Sequence, residues 1–417
     1  MTAERVLRTY LTLVAVSTGA SSMIWGINTL FLLDAGLSIG QTFAANAFFT
    51  VGMVLFEVPT GVLADTVGRR TSYLLGTATL IGTTLLYLLL WRIHAPLVWW
   101  AVVSALLGLG FTFFSGATEA WLVDGLQATG YSGSLEAAFA KGQVVNGIAM
   151  MAGSIGGGIL AQVTDLGAPY VVRSLLLMAT FAVAWRAMRD LGFTPKQDAS
   201  VRGELAGIVR ASLRHGLLNP RVRWVMLAGP FTAGVSVYGF YAAQPYLLEL
   251  YGRADSYWIA GLSAGIVAGA QIAGGASASS LARVFRDRIR TLIGAIVVSG
   301  VMIAAIGLVT SFWVALVLLM VWGSMFAAMT PVRQAYLNSH IPSAQRATVL
   351  SFDNLLGSAG GVVVQPALGR TADLWGYGPA YLVSAGIQLL AVPFLGLARR
   401  TGKSVEDAAG QPLALRA

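Results

Sequence analysis

The stretch Gly61-Val-Leu-Ala-Asp65-Thr-Val-Gly68-Arg69-Arg70 separates two long apolar segments, at about 41–64 and 71–91. Each segment has roughly the 20 residues that a helix needs to cross a bilayer. The charged side chains are confined to the junction, where glycines allow close helix approach and a tight turn. This pattern predicts two membrane-spanning helices joined by a short polar loop.

Ten further apolar segments of similar length continue this pattern along the chain. They lie at about 9–33, 96–123, 137–162, 169–188, 222–248, 257–281, 289–309, 312–339, 347–369 and 377–398. The sequence therefore predicts an all-α membrane protein of about twelve transmembrane helices in two pseudo-symmetric six-helix bundles. The predicted divisions are 1–188 and 221–400 for the bundles, 189–220 for a cytoplasmic linker and 401–417 for a cytoplasmic tail.

The composition agrees with a lipid environment. Of the 417 residues, 56% are hydrophobic and 11% are charged, whereas soluble domains average about 25% charged residues. The chain has no cysteine, and its three histidines (His94, His215, His340) have no ligand spacing, so no metal site is predicted. The net charge is +9, but the basic residues lie between the apolar spans, where they orient helices in the membrane. This placement argues against a nucleic-acid partner.

Most of the 27 basic residues fall on the predicted face that holds both chain termini. They include Arg69, Arg70, Arg283, Arg286, Arg288, Arg290, Arg399, Arg400 and Lys403. By the positive-inside rule, this asymmetry predicts a protein of the cytoplasmic (inner) membrane with both termini in the cytoplasm. We expect a monomer.

The polar segment between the bundles contains apolar residues at helical spacing. Leu205, Val209 and Leu213 recur on one side, and Arg210 and Arg214 lie elsewhere on the helical wheel. This pattern predicts an amphipathic helix on the cytoplasmic leaflet of the membrane. The alternative is a solvated linker.

The second half of the sequence repeats the first. Glu119-Ala-Trp-Leu in span four matches Gln334-Ala-Tyr-Leu in span ten, and Leu32-Leu-Asp34 matches Leu247-Leu-Glu249. Both offsets are 215 residues. A repeat of six spans in the same orientation is typical of secondary transporters.

The quoted stretch resembles the signature loop of the major facilitator superfamily, G-x-L-A-D-x-x-G-R-R/K. The resemblance implies that Asp65 and Arg69 form a charge network with an acidic residue at the end of span four, here Asp124, which holds the outward-facing state. A structural turn with topology-setting arginines is the alternative. The segment Gly153–Gly158 is similar to the G-P-x-x-G-G pattern of exporters, but Ser154 replaces the proline.

Ionisable residues inside apolar spans are costly and are functional candidates. Glu57, Glu119, Lys141, Arg333 and Asp353 occupy such positions. Two acid–base pairs, Glu119 with Lys141 and Asp353 with Arg333, are predicted, with a purely structural role as the alternative. Glu57 has no charged neighbour in sequence, so it is the first candidate for proton coupling.

Aromatic residues in the spans are candidates for stacking on a hydrophobic or cationic substrate. The candidates are Trp25, Phe113, Trp121, Tyr238, Tyr241 and Tyr336. The alternative for each is packing between helices.

The resemblance, particularly to the drug:proton antiporter branch, implies secondary transport by alternating access. The expected function is proton-coupled efflux of small amphipathic compounds, and the expected energy source is the proton gradient without a cofactor. Transport of a specific metabolite, such as a sugar, amino acid or siderophore, is the alternative. A lipid scramblase or a membrane-embedded enzyme is disfavoured, since the short loops offer no reactive constellation and no phosphate-binding G-x-x-x-x-G-K-[ST] loop is present.

Overall fold

The computed structural model describes residues 1–195, 200–285, 287–342 and 345–409, and these are helical with no strand. The helices are α1 (Ala3–Ser22), α2 (Asn28–Asp34), α3 (Ile39–Val67), α4 (Arg69–Arg92), α5 (Leu97–Thr112), α6 (Ala117–Ala128), α7 (Leu135–Val163), α8 (Ala168–Ala187), α9 (Val201–Ser212), α10 (Arg223–Tyr251), α11 (Tyr257–Phe285), α12 (Arg288–Leu308), α13 (Phe312–His340), α14 (Arg346–Trp375), α15 (Tyr377–Leu389) and α16 (Ala391–Ala409). A π-helical turn at Leu213–Leu217 follows α9. Residues 196–199 of the predicted linker, Arg286 of the basic set and residues 410–417 of the predicted tail lie outside the described residues.

Ten helical segments of the described chain are long and apolar enough to cross a membrane. Two of the twelve predicted spans do not meet this measure. The first is divided into α1 and α2 by a turn at 23–27, and the second is α14, which carries Arg346, Asp353, Arg370 and Asp373. The protein is therefore a multi-pass membrane protein in which a turn divides the first span and charged residues lower the hydropathy of α14.

Two further predicted spans are continuous in the sequence pattern but not in the structure. The fourth span is interrupted at 113–116, between α5 and α6, and the twelfth at Leu390, between α15 and α16. Both breaks occur within apolar sequence, so hydropathy alone gave no sign of them.

Helix pairs in the first half (α1–α8) have counterparts in the second half (α10–α16). The pairs α3–α5 and α1–α7 correspond to α11–α13 and α10–α14, and α4–α8 corresponds to α12–α15. The two halves meet through three main pairs: α3 with α14, α7 with α11, and α2 with α10. This is the two-fold repeat that the sequence predicted.

The apolar core shows where the halves are joined. We call the end of the bundle at which α1 begins the terminal face, and the opposite end the far face. Towards the far face one continuous cluster joins Phe31 and Tyr170 of the first half with Tyr238 and Trp322 of the second. Towards the terminal face the core divides into separate clusters, one within each half. The bundle is thus sealed at the far face and divided at the terminal face.

The segment between the halves contains the predicted helix, α9, whose Ser200 caps it by accepting a hydrogen bond from the Gly203 N–H. The side chains of Leu205, Val209 and Leu213 are exposed. The helix contacts α3 of the first half and α14 of the second. It therefore spans the division between the halves, and its contact with a lipid leaflet stays a prediction.

The orientation prediction can be tested because the chain has no cysteine. Single cysteines at Ser200, before α9, and at Ser311, before α13, lie on opposite faces of the bundle and are exposed. In intact cells we expect an impermeant thiol reagent to label Ser311→Cys and not Ser200→Cys. The reverse pattern would overturn a cytoplasmic terminal face.

Candidate functional site

The signature stretch forms the junction between α3 and α4 at the terminal face. Asp65 and Arg69 form an ion pair, and their side chains are 24% and 19% exposed. The Arg69 guanidinium also lies 5.7 Å from the ring centroid of Phe193. The pair is therefore held against the segment that follows α8.

Gly68 permits a close contact at this junction. Its φ of +125° is a conformation that favours glycine, and a Cβ there would lie 2.5 Å from Asp190 Oδ2. The backbone N–H of Arg70 donates to Asp190 Oδ1 at 2.9 Å. Asp190 thus caps the N-terminus of α4, where a carboxylate is favoured. Burial raises the pKa of Asp190, and the charges of Arg70 and Arg69 oppose that rise.

Asp124 lies beside this cluster near the end of α6. Its negative charge also raises the pKa of Asp190, but among the described residues it forms no ion pair with Arg69. At Gly61 an added Cβ would meet nothing within 4 Å, so the expected close helix approach is absent there. Among the described residues, the network in this conformation includes the Asp65–Arg69 pair and Asp190, with Asp124 adjacent.

A cavity of about 250 Å³ lies within the first half. Its lining comes from six helices of the first half and from the turns after α1 and α5. The lining residues are Val14, Ser17, Thr18, Ser21, Trp25, Tyr73, Leu80, Phe111, Phe114, Thr118, Glu119, Asn146 and Leu177. Thr18 donates to the side-chain oxygen of Asn146 at 2.7 Å. We call this the first-half cavity; it combines aromatic surface with one carboxylate.

The structure does not bring Glu119 and Lys141 together. Both side chains are exposed, and the described residues contain no ion pair between them. The reason is helix phase: Asn146 of α7 faces the cavity, while Lys141, five residues earlier, lies about 140° around the helix from it. The predicted pair is therefore wrong for this conformation, and Glu119 lines the cavity without an ion pair to any described residue.

Glu57 meets the interruption of the fourth span. Its Oε1 accepts a hydrogen bond from Ser115 at 2.7 Å, and Ser115 lies in the turn between α5 and α6. The described residues place no basic side chain in ion-pair distance of Glu57, in line with its predicted setting. Glu57 of α3 therefore contacts span four at Ser115, four residues before Glu119.

A second cavity, of about 400 Å³, lies in the second half. Its polar lining residues are Thr50, Thr232, Thr330, Arg333, Gln334, Asp353, Asn354 and Ser358. Gln334 is the repeat counterpart of Glu119, and Thr232 that of Ser17, each 215 residues apart. The two cavities thus occupy equivalent places in the two halves.

Arg333 and Asp353 form a two-pronged ion pair in this second-half cavity. Arg333 Nη2 donates to Asp353 Oδ1 at 2.6 Å, and Nη1 contacts Oδ2. Asp353 is 3% exposed. This predicted pair is present, and it leaves the cavity with balanced charge.

The predicted cavity aromatics separate into two groups. Trp25 lines the first-half cavity. Trp121, Tyr238 and Tyr336 are buried in apolar clusters, and the polar groups of Trp121 and Tyr336 donate to the backbone carbonyls of Arg189 and Arg221. Phe113 packs against Gly76 of α4, and Tyr241 packs against the continuous apolar cluster of the far face. In this conformation five of the six therefore serve packing.

Polar contacts close the far face between the halves. The Gln244 side chain accepts from the Thr29 N–H at 2.9 Å and donates to the Trp25 carbonyl at 2.5 Å. Asp373 of α14 accepts from the N–H groups of Ile39 and Gly40 at 2.8 and 2.9 Å and from the Ser38 hydroxyl at 3.0 Å. Asp373 therefore caps α3 from the other half of the molecule.

The sequence model of the Major Facilitator Superfamily matches residues 10–364. The chain belongs to the major facilitator superfamily. No protein with a curated description matches the sequence significantly.

Solved structures of superfamily transporters share the fold at low identity. The nucleoside transporter NupG is 11% identical with a TM-score of 0.77, covering 94% of this chain and 98% of its own. A bacterial homologue of the human lysosomal transporter Spinster is 15% identical with a TM-score of 0.74, covering 96% and 98%. A mutant of the peptide transporter POT in complex with sulfate is 12% identical with a TM-score of 0.73, covering 95% of each chain. These likenesses show the fold, and the superfamily indicates a transporter.

Three charged residues of this superfamily member were not singled out from sequence. Asp190 and Asp373 cap helices that are distant in sequence, and Arg173 is 1% exposed within α8. Arg173 did carry a signal, because it is a basic residue inside the predicted span 169–188. The two capping residues carried none, since each lies near the end of a span, where charges are ordinary.

Proposed function

We propose that the protein is a proton-coupled exporter of small amphipathic compounds that carry a positive charge. The observation that carries this proposal is Glu119, an exposed carboxylate without an ion pair among the described residues, in a cavity lined by Trp25, Phe111 and Phe114. Aromatic faces and a carboxylate together attract organic cations. Membership of a transporter superfamily supports the transport role.

Alternating access follows from the two halves. The far face is sealed by Gln244 and Asp373, whereas the apolar core divides at the terminal face. If the far face opens while the terminal face closes, the cavities become exposed to the opposite side of the membrane, and the reverse movement restores the present arrangement. The proton gradient supplies the energy in this proposal, and the monomer is the working unit.

Glu57 is the proposed proton-carrying group. It lies within α3, where the described residues place no basic side chain in ion-pair distance, and its Oε1 accepts a hydrogen bond from Ser115 at the break in span four. Glu119 lies about one helical turn beyond that break. Loss of the proton from Glu57 and binding of a cation at Glu119 thus act on the same interruption.

Reconstituted vesicles test this assignment. With the membrane potential clamped by potassium and valinomycin, we expect vesicles that are acidic inside to accumulate ethidium. Glu57→Gln fixes the protonated shape, so gradient-driven accumulation should fall to the level of protein-free vesicles while exchange between equal ethidium pools continues. Glu119→Gln removes the cation contact and should weaken ethidium binding about tenfold.

Glu4→Gln is the matched control, because Glu4 pairs with Arg8 on the surface and is 81% exposed. It should transport like the unsubstituted protein. Normal gradient-driven accumulation by Glu57→Gln would contradict the proton assignment. Failure of the unsubstituted protein to move ethidium would contradict the substrate class.

A transporter of one polar metabolite is the second candidate. The polar lining of the second-half cavity, with Thr232, Thr330, Gln334, Asn354 and Ser358, favours it. Counterflow of a radiolabelled nucleoside or dipeptide by vesicles that do not move ethidium would select this candidate.

A further inference from the structure

Arg173 is a buried cation without a carboxylate partner. Its Nε donates to Thr84 Oγ1 at 3.1 Å, and its Nη1 donates weakly to the Ser21 carbonyl at 3.4 Å. Nη2 has no hydrogen-bond partner, and no carboxylate in the described parts of the chain forms an ion pair with Arg173. The described structure therefore leaves this guanidinium without a counter-charge, although burying an unpaired charge is costly.

The neighbouring polar groups do not neutralise it. The Tyr87 hydroxyl is shared with Ser104 at 2.6 Å, and the Tyr170 hydroxyl donates to Asn28 at 3.0 Å. Asn28 in turn donates to Asn46, whose own amide nitrogen has no partner. The surroundings of Arg173 therefore contain unused donors and lack an anionic acceptor.

Arg173 lies at the closed end of the first-half cavity. Ser21, whose carbonyl accepts from Arg173, lines that cavity, and so does Leu177, one turn further along α8. On the other side is the far-face seal, where Thr29 donates to the Tyr241 carbonyl at 2.9 Å. Separation of the halves at this seal would uncover the guanidinium.

Glu119 lies nearer the other end of the same cavity. It is 9 residues from the terminal-face end of α6, whereas Arg173 is 5 residues from the far-face end of α8. The cavity therefore has a carboxylate towards the terminal face, and the Arg173 guanidinium lies behind Ser21 towards the far face. Its aromatic lining lies among the residues that separate them.

We propose that the substrate is an amphipathic zwitterion whose carboxylate binds Arg173 while its ammonium group binds Glu119. The guanidinium presents paired donors that match a carboxylate, and the ligand would supply the missing counter-charge. This inference rests on the proposed function, because it takes Glu119 as the cation contact. It adds the second charge and therefore the substrate class.

Two probes with one ring system test the second charge. Norfloxacin carries an ammonium and a carboxylate, and its methyl ester retains only the ammonium. In titrations of the purified protein we expect norfloxacin to bind about tenfold more tightly than the ester. Arg173→Gln should remove this difference by weakening norfloxacin alone, and Arg173→Lys should restore part of it.

The ratio of the two affinities separates recognition from structure. Equal weakening of both probes by Arg173→Gln would assign Arg173 a structural role and overturn the proposal. Equal affinities of the unsubstituted protein for norfloxacin and its ester would also overturn the proposal. This comparison needs no variant, so it can be made even if Arg173→Gln does not fold. Stabilisation by inorganic phosphate that requires Arg173, without a norfloxacin preference, would show a free-anion site and also overturn it. Ethidium exchange in vesicles is unaffected by each of these outcomes, so the proposed function stands or fails separately.

Discussion

Asp353→Asn is expected to destabilise the second half by about 2 kcal/mol, because it neutralises the buried partner of an ion pair and leaves Arg333, which is 25% exposed, without its counter-charge. Asp353 is 3% exposed and receives both terminal nitrogens of Arg333. Arg333 has only the Val225 carbonyl, at 3.3 Å, as a further acceptor among the described residues. Thermal unfolding of the purified protein in detergent measures the loss.

The double variant Arg333→Gln/Asp353→Asn distinguishes the cost of an unpaired Arg333 charge from the loss of the ion-pair contact itself. It removes both charges, so it should recover much of the stability that Asp353→Asn loses. The surface pair Arg8–Glu4 supplies the control, since exposed ion pairs contribute about 0–1 kcal/mol and these side chains are 77% and 81% exposed. If Asp353→Asn unfolds at the same temperature as the unsubstituted protein, the ion pair does not contribute this stability.

Asp373→Ala is expected to open the far face. The substitution removes three hydrogen bonds from Ser38, Ile39 and Gly40 and the carboxylate that stabilises the N-terminus of α3. A cysteine at Ala264, which is 7% exposed and lies against Gly26 of the other half, reports the opening. We expect its labelling by an impermeant thiol reagent to accelerate about tenfold or more.

Two further variants delimit this effect. Gly40→Ala should act in the same direction, because its Cβ would lie 2.7 Å from Asp373 Oδ2. Asp165→Ala is the matched control: Asp165 also caps a helix at the far face, but its partners, the N–H groups of Gly167 and Ala168, belong to its own half. Unchanged labelling in Asp373→Ala, or equal acceleration in Asp165→Ala, would show that Asp373 does not hold the halves together.

Much of the candidate site was predictable because its contacts are local or repeated. The Asp65–Arg69 pair lies one helical turn apart in sequence. Arg333 and Asp353 lie on consecutive spans at similar depth, each 7 residues from the terminal-face end of its helix. The equivalence of the two cavities follows from the repeat that Glu119 and Gln334 already reveal.

The predicted contacts that the structure does not show failed where the rotation of a helix decides the contact. Lys141 has the right depth to meet Glu119 but lies on another side of α7 from Asn146, which faces the cavity. Trp121 and Tyr336 occupy equivalent repeat positions, and both are buried with their polar groups on backbone carbonyls. Hydropathy gives the depth of a residue in the membrane, but it does not give the direction in which its side chain points.

By itself, the sequence determined the membrane environment, the two repeated halves and the superfamily, because apolar length, charge position and motif spacing are properties of the chain alone. Only the tertiary structure decided that the far face is closed and that Asp373 closes it, since the helix that Asp373 caps begins more than 330 residues earlier. It also decided that Arg173 pairs with no carboxylate of the described residues, because that depends on every helix packed around it. Such contacts arise from the placement of whole helices against each other, which no local pattern encodes.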